Sequence, residues 1–99
     1  MRLSDYEIES IKRLAATYFG EGSKVYIFGS RVDDSRHGGD IDIYIESDDV
    51  GEMFKRKLFF ILDLQELIGE QKIDVVVNNL ANQQNLPIYD IAKREGVAL

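Results

Sequence analysis

The chain has no cysteine and no tryptophan, and only one proline and one histidine in ninety-nine residues. Without cysteine there are no disulfides, no thiolate nucleophile and no sulfur ligands for zinc. The lone histidine, His37, falls in a polar loop, so a zinc cage lacks ligands and a Ser–His–Asp triad would rest on one loop residue. Cations are also scarce: twelve Lys and Arg stand against eighteen Asp and Glu, a net charge of −6. That balance argues against direct nucleic-acid binding, whose footprint is a basic stripe. It suits a basic protein partner, or an acidic site whose cations are not counted in the sequence. No apolar run approaches the roughly eighteen residues of a membrane span, and Met1-Arg2-Leu3-Ser4-Asp5 lacks a secretion signal's apolar core. The expectation is a cytoplasmic protein without membrane contact.

What remains reads as one small domain, residues 1–99, near the lower limit for a self-sufficient core and without room for a separate substrate domain. Ser4 and Glu7 form a capping box ahead of Ile8, Ile11, Leu14, Ala15 and Tyr18 at helical spacing, and Gly20 ends that helix. Residues 24–28 read as a strand buried on both faces. Gly29-Ser30-Arg31 breaks it, and residues 33–39 form a loop. Residues 40–45 alternate polar and apolar, the period of a half-buried strand. Asp49 and Glu52 suggest a second capping box before a broadly apolar helix that ends at Gly69. Residues 73–77 are a third strand, and Asn85 and Pro87 suit the start of a last helix, 88–95. Residues 97–99 add a short edge strand. The fold class is α/β (α+β), a small mixed sheet with helices packed on it.

The alternation of 40–45 puts Asp40 and Asp42 on one face, roughly 6.6 Å apart at about 3.3 Å per residue. Ile41, Ile43 and Ile45 point into the core. Two carboxylates fixed side by side repel unless a cation lies between them. Asp74, amid Ile73, Val75 and Val77, is a charge in what reads as a central strand, and it needs a partner. If the two strands are neighbours, three carboxylates share a face. Such a set can bind two divalent cations about 3.5–4 Å apart, as in two-metal phosphoryl transfer. All-oxygen ligation selects magnesium or manganese. Gly29 lets backbone amides approach phosphate oxygens, Ser30 adds a hydroxyl, and Arg31 adds charge-assisted contacts.

Gly29-Ser30, Asp40-Ile41-Asp42 and the isolated Asp74 together resemble the signature of the polymerase-β-type nucleotidyltransferases. The small domain with its Gly-Ser-Arg start resembles the minimal nucleotidyltransferase (MNT) branch. The resemblance implies that Asp40 and Asp42 bind both metal ions, and that Asp74 binds one and helps activate the acceptor hydroxyl. It implies that Gly29 and Ser30 hold the β and γ phosphates. It further implies transfer of AMP from ATP to a tyrosine of a HEPN toxin partner, in an antitoxin role and within a hetero-oligomer. Gly39 departs from the pattern, standing where relatives often have serine.

Two rival functions differ in class. One is an antitoxin that neutralises its partner by contact alone, and the other is the nucleotide-binding subunit of a two-chain small-molecule transferase. Asp33, Asp34, Asp48 and Asp49 read as loop and capping residues. Lys55-Arg56-Lys57 reads as a helix's wet face. The five tyrosines read as core or boundary residues, although Tyr44, on the face of Asp40 and Asp42, is placed to stack on a base.

Overall fold

The computed structural model describes residues 1–33, 39–48, 51–82 and 84–99. His37, Asp34, Asp49 and Val50 lie outside them. Three helices and four strands follow in order: α1 Asp5–Phe19, β1 Lys24–Phe28, β2 Ile41–Ser47, α2 Met53–Ile68, β3 Ile73–Asn79, α3 Pro87–Glu95 and β4 Val97–Ala98. Short 3₁₀ turns occupy Gly29–Val32 and Leu80–Asn82. The Ser4–Glu7 capping box forms as read, with both reciprocal bonds present. Gly20, Gly69 and Gly96 follow the three helices as their C-caps.

The sheet order is β3-β2-β1-β4, with β1 antiparallel to both of its neighbours and β2 parallel to β3. Ile41, Ile43 and Ile45 are fully buried on one face, with Val25, Ile27, Ile73 and Val75 beside them. Ile11, Leu14, Ala15 and Phe19 of α1 and Phe60 and Leu64 of α2 close over that face. Each isoleucine so buried contributes about 1.5–3 kcal/mol. The other face is only partly covered. There α3 seals Tyr44 beneath Tyr89 and Ala92, with Tyr26, Phe28, Val76 and Ile88 around them.

Several local expectations are corrected. Glu52 is itself the N-cap of α2 rather than its third residue, in a left-handed conformation and without a side-chain cap bond; Asp49, the other half of the expected capping box, lies outside the described residues. Leu86, not Asn85, is the N-cap of α3; it has no side-chain cap bond, and its carbonyl accepts from the Tyr89 N–H at 3.0 Å, while Pro87 in the first turn has no N–H to satisfy. The second face of β1 is only half-buried, at Tyr26 and Phe28, because α3 is short. Most important, β3 is an edge strand and Asp74 is exposed, so burial inside a central strand does not account for its charge.

Candidate active site

The end of β1 and the starts of β2 and β3 meet at one end of the sheet, beyond the patch that α3 covers. Asp42 is the register partner of Asp74 on one side and of Phe28 on the other. Register partners on adjacent strands project from the same face, with backbones about 4.8 Å apart. Two carboxylates held this close repel each other, which favours the protonated form of the more buried one. Asp42 is the half-buried member, and burial is the main reason its carboxyl sits above its ordinary value of 3.8. The charges of Asp74 and Asp40 push it further in the same direction, and Lys72 pulls it back.

Asp40 lies just before β2, and its Oδ2 accepts an ion pair from Lys72 Nζ at 3.4 Å. The Lys72 side chain is 73% exposed, so the pair contributes at most about 1 kcal/mol. The backbone repeats the contact, with the Ile41 N–H donating to the Lys72 carbonyl at 3.0 Å. Asp42 and Asp74 thus face each other while Asp40 is engaged by a lysine. Among the described residues, no three His, Asp or Glu side chains are grouped closely enough to hold a metal ion as they stand.

The turn Gly29–Val32 forms the wall beside these carboxylates. Gly29 adopts φ +75°, and a Cβ there would overlap the Asp42 carboxylate, so the acid lies directly against bare backbone. Gly39, at φ +98°, makes the same kind of room for Ser30 Oγ. A serine at position 39 would collide with Ser30, which accounts for the glycine. Ser30 Oγ donates a long bond of 3.4 Å to the Asp40 carbonyl.

Arg31 faces inward along the chain rather than toward the carboxylates. Its Nε donates to the Gly39 carbonyl at 3.3 Å, one Nη to the Arg2 carbonyl at 3.1 Å and the other to Gln71 Oε1 at 2.6 Å. Arg2 reciprocates: its N–H donates to the Arg31 carbonyl at 2.8 Å, Nη2 to that of Ser30 at 2.7 Å and Nε to that of Asp33 at 3.1 Å. Two arginines therefore clamp both ends of the turn.

Lys72 and Arg2 escaped the sequence reading. Lys72 stands two residues before Asp74 and so shares its face, a signal open to period-2 counting once β3 is assigned. Arg2 gave no local signal, because its partners lie about thirty residues away. Tyr44 does not line a pocket. It is fully buried, its hydroxyl donates to Glu46 Oε2 at 2.9 Å and accepts from Asn78 Nδ2 at 3.1 Å, and Lys93 Nζ reaches the same Glu46 oxygen at 3.3 Å. Its ring stacks between those of Tyr26 and Tyr89, at 5.6 and 5.7 Å. Of the basic run on α2, Arg56 is not a wet-face residue: it donates to the Tyr18 carbonyl at 2.7 Å and so ties α2 to the end of α1.

The model of the polymerase beta nucleotidyltransferase family matches residues 9–98. The chain belongs to that family. As a polymerase-beta-type nucleotidyltransferase it has a transferase function with a nucleotide as substrate, and the family generally uses divalent metal ions. No curated protein is similar enough in sequence to align with it. Among the described residues, no helix is long and apolar enough to cross a membrane.

Proposed function

We propose that this nucleotidyltransferase is of the minimal type, and that it transfers AMP from ATP to a protein hydroxyl. The acceptor we favour is a tyrosine of a HEPN-type toxin, bound in a cytoplasmic hetero-oligomer in which this chain is the antitoxin. The observation that carries the reading is the in-register pair Asp42 and Asp74, set against the bare backbone of Gly29.

The chemistry of the donor set suits magnesium, with manganese as a substitute: Asp40, Asp42 and Asp74 offer only oxygen, and Asp40 must leave Lys72 to join the pair on β2 and β3. These three residues would hold two ions. Held there, the ions would acidify the acceptor hydroxyl and neutralise the departing pyrophosphate. The acceptor oxygen forms a bond to the α-phosphorus, the bond from that phosphorus to pyrophosphate breaks, and Asp74, the exposed carboxylate, receives the acceptor's proton. Gly29 and Ser30 hold the β and γ phosphates, and Arg31 supports them by fixing the turn through Gly39, Arg2 and Gln71. The open sheet end leaves Asp74 accessible to an acceptor carried by another protein.

The test is intact mass spectrometry of a HEPN-type protein, sought first in the reading frame beside this chain's, after incubation with the chain, ATP and magnesium. An increment of one or more AMP units, lost with Asp42→Asn, is the expected result. An unmodified partner that still forms a stable complex would replace this reading with neutralisation by contact.

A further inference from the structure

Helix α2 is apolar on two sides, and only one of them is used within the chain. Phe60 and Leu64 face the core, whereas Phe54, 82% exposed, and the exposed Leu58 and Leu62 follow one another at four-residue spacing, with Phe59 alongside. Residues four apart on a helix are surface neighbours, so these side chains form one stripe rather than scattered singles. The charges bordering the stripe are divided by end. Lys55 flanks its N-terminal end and Glu66 its C-terminal end, both exposed and neither in an ion pair among the described residues.

We propose that this face of α2 docks against α2 of a second copy of the chain, antiparallel, about a two-fold axis between Leu58 and Leu62. An isologous contact needs a surface complementary to itself, and the stripe has that property. With Leu58 of one copy opposite Leu62 of the other, Phe54 lies over the stem of Glu66, and Lys55 meets the Glu66 carboxylate at both ends. A parallel pairing would set Lys55 on Lys55 and Glu66 on Glu66. A uniformly acidic or basic helix would satisfy only half of the stripe. The antiparallel arrangement also places each positive helix N-terminus beside a negative C-terminus.

The sixteen-residue helix is about 24 Å long, so the interface is at the small end of specific contacts. Because α2 covers the sheet face opposite Asp42 and Asp74, both carboxylate clusters remain open in the pair. The inference does not depend on the nature of the acceptor.

Sedimentation equilibrium of the full chain over a wide concentration series tests it. The mass is expected to rise from 11.3 kDa toward twice that value. Lys55→Glu and Glu66→Lys each weaken association at least tenfold, and the double variant restores it, because the swapped charges again meet across the axis. Leu58→Asp abolishes it. Circular dichroism melts, unchanged for the exposed charge variants, separate docking from folding. A mass fixed at 11.3 kDa at every concentration overturns the proposal, as does a dimer that survives Leu58→Asp or that the double swap fails to restore. A stripe protected only when a different protein binds overturns it in favour of that occupant.

Discussion

The Asp42 carboxylate fills the space that a side chain at position 29 would need, so Gly29 and Asp42 form a single steric unit at the mouth of the sheet. The positive φ of Gly29 and the missing Cβ serve the same close approach. Gly29→Ala is therefore expected to displace Asp42 and lower nucleotidyl transfer at least tenfold. Gly20→Ala is the control, since Gly20 has φ +100° but open space around it. Both variants lose about 1 kcal/mol or more from backbone strain, read by urea unfolding, but only the first loses activity. Equal activity of the two would separate Gly29 from the site.

The protonation of Asp42 links stability to pH. Its folded-state value is raised, so its contribution is fully present below the ordinary 3.8 and is lost as pH rises through the raised value. Glu7, lowered from 4.5, runs the other way and loses its contribution as pH falls. The difference between wild type and Asp42→Asn isolates the former. In EDTA, the variant is expected to be the more stable protein at neutral pH, with that advantage shrinking toward pH 3.8. With magnesium, only the wild type gains stability, by about 2.7 kcal/mol at a hundredfold excess over its dissociation constant. Chemical denaturation at several pH values, with and without magnesium, measures both effects.

Lys72 occupies Asp40 with a positive charge, the same role that a divalent ion would take. Lys72→Met is expected to cost at most about 1 kcal/mol in EDTA, since the lysine is largely exposed. The same change should tighten magnesium binding several-fold, because a competing cation has been removed. Calorimetric titration gives the affinity, and no change would show that Asp40 is not contested.

Tyr44 packs its ring under α3 and bonds Glu46 and Asn78 of the sheet through its hydroxyl. Tyr44→Phe leaves Asn78 without its acceptor and Glu46 with Lys93 alone, at a cost of about 1–3 kcal/mol. Burial raises the hydroxyl from 10.0 to about 12, so the stability it confers is present below pH 10 and falls as pH climbs toward 12. Urea midpoints on either side of pH 10 should show that alkaline loss in the wild type and its absence in the variant.

The sequence by itself determined whatever is periodic or local. Period-2 alternation put Ile41, Ile43 and Ile45 on one face and Asp40 and Asp42 on the other, because a strand's side chains alternate whatever it pairs with. Ser4 and Glu7 specified a helix start, and Gly20, Gly69 and Gly96 specified the stops, through bonds and dihedrals within a few residues. Tertiary structure alone decided which strands are neighbours. It made β3 an edge, so that Asp74 is exposed and the desolvation falls on Asp42. It also closed α3 over Tyr44, leaving that ring in the core although parity placed it beside the acids. Finally, it spent Arg31 on Arg2, Gly39 and Gln71, partners up to forty residues distant. Local patterns settle which way a side chain points, but what it meets there depends on long-range pairing, which no short window of residues encodes.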